Sequence, residues 1–131
     1  MNPRSPKQSD RYPGLTLRVL GRGEPAMGPG RAALIEYIDR LGSISAAARE
    51  MEMSYRRAWQ LVEAINASFS QPLVITSTGG KRGGGAQVTA LGREVATRFR
   101  RMEAGASASI RVELAEFTAL LRPAARPARK R

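Results

Sequence analysis

Between residues 42 and 69 the apolar positions fall into two blocks, each with spacings of three and four. Ile44, Ala47, Ala48 and Met51 form the first block; Ala58, Trp59, Val62, Ile65 and Phe69 form the second. Spacing of this kind puts each block on one face of a helix. Two helices are therefore predicted, over roughly residues 44–51 and 55–69, joined by a tight turn. Ser43 and Ser54 stand just before the two blocks, where a serine hydroxyl can accept from a free amide of the opening turn. Ala46, Ala47 and Ala48 favour helix and let a second helix cross closely. The outer face of the second helix carries Arg56, Arg57, Gln60 and Glu63. A short helix, a turn and a helix with one apolar and one cationic side make the pattern of a helix-turn-helix, whose second helix enters the major groove of DNA. A plain amphipathic hairpin with a solvated charged face has the same pattern, so the flanking segments have to decide.

Residues 31–41 repeat the helical spacing. Leu34, Ile35, Ile38 and Leu41 point inward, Glu36, Asp39 and Arg40 outward, and Gly42 is a natural stop. This helix is expected behind the other two, completing a tri-helical core. Upstream, residues 15–20 alternate in part and predict a short strand with Leu15, Leu17 and Val19 on one face; residues 21–30, dense in Gly and Pro, predict a loop. Downstream, Pro72 breaks any helix, residues 73–77 are apolar and β-branched, residues 78–86 read TGGKRGGGA, and residues 87–89 supply a short return strand. A hairpin directly after a recognition helix is read as a wing; the plain alternative is a flexible hairpin tip with no ligand. The wing's glycines allow close approach to phosphate, and Lys81 and Arg82 supply charge. A nucleotide-binding phosphate loop is excluded, since GxxxxGK[ST] is absent and neither Ser nor Thr follows Lys81.

Thr89 is placed to cap a last, long helical pattern over residues 90–121, with Leu91, Val95, Phe99, Met102, Ala106, Ile110, Leu114, Phe117 and Leu121 at threes and fours. At ~1.5 Å per residue such a helix would extend ~45 Å, more than a small wing domain can cover. A second copy of the chain is the simplest partner for its seam; in a monomer the helix would instead fold back on its own core. GASAS at residues 105–109 is the weak point at which it can bend or split.

Charge now changes the picture. The 131 residues carry a formal net charge of +11, with 22 basic and 11 acidic side chains. Residues 1–14 hold three basic residues and one acid, and residues 122–131 hold five basic residues and no acid, leaving fourteen against ten between them. The body is mildly basic and the tails strongly so, which points to a polyanion such as nucleic acid. With no Cys and no His, there is no disulfide framework, no thiolate site and no imidazole base or ligand. No paired constellation of the remaining nucleophiles and carboxylates replaces them, so an enzyme is not expected and neither a cofactor nor a metal is called for. No secretory signal or membrane-length apolar run is present, and a soluble, cytoplasmic protein is expected.

GSIS at residues 42–45, SYRRAW at 54–59, TGGKRGGGA at 78–86 and the helix start at Thr89 together resemble the DNA-binding domain of ModE-type molybdenum-dependent transcriptional regulators, within the LysR-like winged helix-turn-helix group. The likeness covers about residues 15–105. It is most specific in the pairing of Tyr55 and Trp59 with the glycine-rich wing. It implies a homodimer that binds inverted repeats upstream of molybdate-uptake or molybdoenzyme operons. The chain departs from the family in having Glu52 where the inter-helix turn usually has Gly, a residue that tolerates positive φ. Full-length relatives also carry C-terminal molybdate-binding β-barrel domains. No oxyanion-binding residue carries over from them, so direct molybdate binding by this chain is not expected.

The expected protein is mainly α with a small β-hairpin. It has an N-terminal arm (1–14), a winged helix-turn-helix domain (15–89), a long helix suited to dimerisation (90–121) and a basic tail (122–131). Its expected partner is double-stranded DNA, and the candidate contacts are Ser43, Ser45, Ser54, Tyr55, Arg56, Arg57, Gln60, Lys81 and Arg82. The arginines can read guanine edges or hold phosphate, and residue type alone does not separate the two. Two other classes share these features: a non-specific architectural nucleic-acid binder driven by the tails, and a helix-mediated partner of a larger regulator.

Overall fold

The chain opens with a β-hairpin, β1 (Val19–Gly21) against β2 (Glu24–Met27), in the computed structural model, which describes residues 14–22, 24–77 and 85–122. The pairing is antiparallel, with Gly21 opposite Glu24 and an irregularity between Val19 and Leu20. The loop expected over residues 21–30 therefore contains a strand. Pro25 disguises it in the sequence, but a strand with a free edge tolerates a residue that cannot donate. Leu17 and Val19 lie half-buried against the core, as their alternation requires, and Met27 is buried.

Helix α1 (Pro29–Leu41) follows, with Pro at the first helical position, where its missing N–H costs nothing. It ends at Gly42 in the left-handed region, φ 71°, and the Gly42 N–H returns to the Ile38 carbonyl at 2.8 Å. Ala32, Leu34, Ile35 and Ile38 are its buried face. Leu41, expected inward, is 38% exposed. Helices α2 (Ile44–Glu50) and α3 (Tyr55–Ala67) pack on α1 through Ile44, Ala47, Ala48, Ala58, Val62 and Ile65. Both expected caps form: Ser43 Oγ accepts from Ala46 N at 3.1 Å and Ser54 Oγ from Arg57 N at 3.0 Å.

The turn between α2 and α3 puts Glu52 at φ 57°. A side chain in this region costs about 1–2 kcal/mol, partly offset by the extra freedom glycine has when unfolded. Glu52→Gly is therefore expected to stabilise the protein by about 0.5–1 kcal/mol, read as a shift in the urea midpoint. A loss of stability would mean that the glutamate side chain contributes more than its backbone costs.

Strands β3 (Val74–Ser77) and β4 (Gly85–Val88) form the antiparallel wing hairpin, with Val74 opposite Val88 and Ser77 opposite Gly85. Helix α4 (Ala90–Ser109) starts at the wing root, where Thr89 Oγ1 accepts from Gly92 N at 3.0 Å. It runs antiparallel to α1, for Arg93 meets Asp39 and Arg100 meets Glu36. Its buried row is Gly92, Ala96, Phe99 and Glu103, rotated from the all-apolar row expected; Leu91 and Val95 are only half-buried and Met102 is exposed. Glu36, expected on a wet face, is an ion-pair partner at this helix–helix contact. The expected weak stretch is followed at once by a break: Ile110 leaves helical geometry (φ −110°, ψ 14°) and a separate helix, α5 (Arg111–Thr118), begins. Three helices around one core with a wing after the second helix-turn-helix element make this a winged helix-turn-helix, with two C-terminal helices in place of one.

Candidate nucleic-acid interface

Helix α3 packs on the core through its inner face and leaves its outer face to solvent. Ala58, Val62 and Ile65 are buried, and Leu61 and Trp59 are half-buried on the flanks. Ser54, Tyr55, Arg56, Arg57, Gln60 and Glu63 are exposed. At about 100° per residue, Arg56, Gln60, Glu63 and Ala67 fall within a sector of about 60° opposite the buried face, and Arg57 lies on its flank. Neither Arg56 nor Arg57 is engaged in an ion pair among the described residues, so both guanidinium groups are available to an external anion or base edge. Tyr55 meets Trp59 edge to face, with ring centroids 6.1 Å apart and planes at 80°, and is itself 54% exposed. That contact fixes the phenol at the protruding end of the helix.

The other expected contacts divide. Ser45 is exposed on α2. Ser43 is half-buried, and both Ser43 and Ser54 use a hydroxyl lone pair in capping, so their first role is to set where the helices begin. Lys81 and Arg82 lie outside the described residues.

One positioning residue was not among those expected. The Asn66 side chain accepts from Leu73 N at 2.8 Å and Val74 N at 3.1 Å and donates to the Val74 carbonyl at 2.9 Å. It pairs with β3 as a strand would, and so ties the end of α3 to the wing. Two more bonds hold the wing root: Ala86 N donates to the Gly42 carbonyl at 3.0 Å, and Thr89 N donates to the Leu73 carbonyl at 2.9 Å. Recognition helix, helix-turn-helix entry and wing thereby share one frame. The only signal in the sequence is an amide at the margin of an apolar stripe, which does not say what it will meet.

Among the described residues there is no cluster of acidic groups that could hold a metal, and no helix is long and apolar enough to cross a membrane. The arrangement offers hydrogen-bond donors on a protruding helix beside a braced hairpin.

Residues 31–93 match the family of bacterial regulatory helix-turn-helix proteins of the lysR type. The molybdenum-pterin-binding protein MopB of Rhodobacter capsulatus is 46% identical over 87 residues, which are 66% of this chain and 32% of that protein. The molybdenum transport protein ModE of Azotobacter vinelandii is 38% identical over 78 residues, 60% of this chain and 29% of that protein. The DNA-binding transcriptional dual regulator ModE of Escherichia coli (strain K12) is 39% identical over 67 residues, 51% of this chain and 26% of that protein. The matched segment thus spans between about a quarter and a third of the curated relatives.

Proposed function

Starting from a lysR-type helix-turn-helix segment at residues 31–93, we propose that the protein is a DNA-binding transcriptional regulator whose helix α3 lies in the major groove. The observation that carries this is the outward sector of α3, where Arg56 and Gln60 stand exposed on a helix whose start, inner face and wing-side end are all fixed. Arginine pairs with the O6 and N7 of guanine and glutamine with the N6 and N7 of adenine, so this sector can read sequence. Arg57, on the flank, is suited to phosphate, as are Lys81 and Arg82 of the wing segment. Ser43 and Ser45 approach the backbone from the start of α2, and Ser54 and Tyr55 from the start of α3.

The finer reading is a homodimer that binds an inverted repeat and controls molybdate-uptake or molybdoenzyme genes. Its supports are the likeness to a molybdenum-pterin-binding protein, a molybdenum transport protein and a DNA-binding transcriptional dual regulator, and the exposed Met102, Val112, Phe117, Leu120 and Leu121, an apolar surface suited to a second copy.

The test is fluorescence anisotropy on two duplexes, the inverted repeat upstream of the host's molybdate-transport genes and its scrambled form, each at two salt concentrations. A preference of ~10³-fold that survives the higher salt is expected. Arg56→Ala should reduce that preference by about tenfold or more, whereas Arg57→Ala should weaken both duplexes alike. Equal, salt-sensitive binding of the wild type to that duplex, to its scramble and to every member of a genomic duplex library would mark an architectural binder and overturn the proposal.

A further inference from the structure

The outward sector of α3 contains a residue that a phosphate-binding surface should avoid. Glu63 is exposed between Gln60 and Ala67 and makes no hydrogen bond or ion pair among the described residues. Its neighbours one turn away on the helix are Trp59, Gln60, Asn66 and Ala67, none of them cationic. In the free protein water solvates this carboxylate at little cost. Against DNA it faces the phosphate field with no compensating partner of its own, in a chain that otherwise carries a formal charge of +11.

A carboxylate only accepts hydrogen bonds. The donors that the major groove presents are the N4 amino group of cytosine and the N6 amino group of adenine. Beside its amino group adenine places the N7 lone pair, which repels the second carboxylate oxygen, and cytosine has no acceptor there. At about 1.5 Å per residue Glu63 sits about 10 Å beyond Arg56 along α3, close to three base-pair steps of about 3.4 Å.

We propose that Glu63 is a specificity-determining residue that accepts a hydrogen bond from a cytosine N4 amino group about three base pairs from the pair read by Arg56. The proposal rests on the placement of α3 in the major groove. The carboxylate discriminates in two ways. It gains a bond at cytosine, and at every other base it leaves an unpaired charge in the groove, so it lowers affinity for wrong sequences as well as raising it for the right one.

The full-length chain and its Glu63→Ala, Glu63→Gln and Arg56→Ala variants would be carried through selection on a randomised duplex library, with anisotropy on the enriched duplex and on random duplex. Because Glu63 is exposed, thermal melts should be unchanged. The wild type should enrich a cytosine about three positions from the base whose preference disappears in Arg56→Ala. Glu63→Ala should lose about tenfold discrimination at that cytosine alone and bind random duplex about threefold more tightly at low salt. Glu63→Gln should move the preference from cytosine to adenine. If Glu63→Ala keeps the wild-type preference at every position, or raises affinity equally for all sequences, Glu63 is a solvated or merely repulsive charge and the proposal is wrong. If the wild type enriches no sequence, the regulator reading itself falls and takes Glu63 with it, an outcome distinct from the first two.

Discussion

Replacing Arg100 by Met is expected to cost the fold about 3–5 kcal/mol, although no apolar contact is lost. Arg100 joins α4 to α1: Nε and Nη2 reach the two carboxylate oxygens of Glu36 at 2.9 and 2.8 Å, and Nη1 reaches Glu103 Oε1 at 2.8 Å. The Glu103 side chain is only 3% exposed and that of Arg100 18%. Burial by itself would lower the guanidinium pKa; the hydrogen bonds to Glu36 and Glu103 outweigh it and hold the group above its ordinary value, so the charge is permanent. Removing it strands the Glu103 carboxylate inside the protein, and that stranded charge, more than the lost attraction, sets the size of the effect. The double variant Arg100→Met/Glu103→Leu should therefore recover most of the loss, since an apolar pair of similar volume can replace a buried ion pair at little cost. Guanidinium denaturation of the two single variants and the double decides it. A single-variant loss below about 1 kcal/mol, or a double variant no better than Arg100→Met, would show that Glu103 finds water or another partner.

Gly92→Ala is expected to destabilise by about 2 kcal/mol or more, while Gly105→Ala in the same helix stabilises by about 0.5–1 kcal/mol. Alanine is the better helix former at both positions, so propensity alone predicts a gain at each. Space reverses the sign at Gly92. A Cβ there would lie 2.3 Å from the Leu73 carbonyl oxygen and 2.7 Å from Val88 Cγ1, whereas at Gly105 it would meet nothing within 4 Å. The Leu73 carbonyl cannot simply retreat, because it accepts from Thr89 N at 2.9 Å and from Thr89 Oγ1 at 3.3 Å. To admit the methyl group, α4 must lift from the wing root or the wing strand must shift. Gly92→Ala should for that reason also weaken DNA binding in the fraction that stays folded. Thermal melts of the pair, with the wild type alongside, give the test; two changes of the same sign would refute the close packing of α4 on Leu73 and Val88 at the wing root.

Both effects concern how α4 and the wing are seated, and there the sequence was least informative. Glu36 and Arg100 are 64 residues apart, and each looks like an ordinary surface charge in its own helical pattern. Glu103 breaks an otherwise apolar row, and nothing local indicates that it is buried with a partner. The expected seam of α4 rests on its large apolar residues; of these Phe99 is buried, but the row turns so that Gly92, against the wing root, and Ala96 lie inside and Met102 stays outside. Strand β2 was hidden for a related reason: Pro and Gly signal a loop until a neighbouring strand supplies the bonds.

The candidate interface was far more legible. Arg56, Arg57 and Gln60 announced an outward face because helical spacing and a serine cap are properties of a few consecutive residues. The family resemblance pointed to Glu52, which stands where the inter-helix turn usually has Gly, and its φ of 57° agrees with that expectation. What the sequence left open were the roles of the two arginines, since the same side chain serves base edges and phosphates. Nor could it indicate Asn66, whose partners on β3 are seven and eight residues away across a turn.

By itself, then, the sequence determined where helices α2 to α4 begin and which face of α3 stays wet, while α1 starts at Pro29, inside the loop expected over residues 21–30: caps, glycine stops and apolar periodicity act within one or two turns and are indifferent to the rest of the chain. The tertiary structure alone decided that α4 lies antiparallel along α1, and that Asn66, Gly42 and Thr89 brace the wing to helix α3. Those outcomes depend on close approach and on charges meeting across long separations. Their free energies exist only once the desolvated contact has formed.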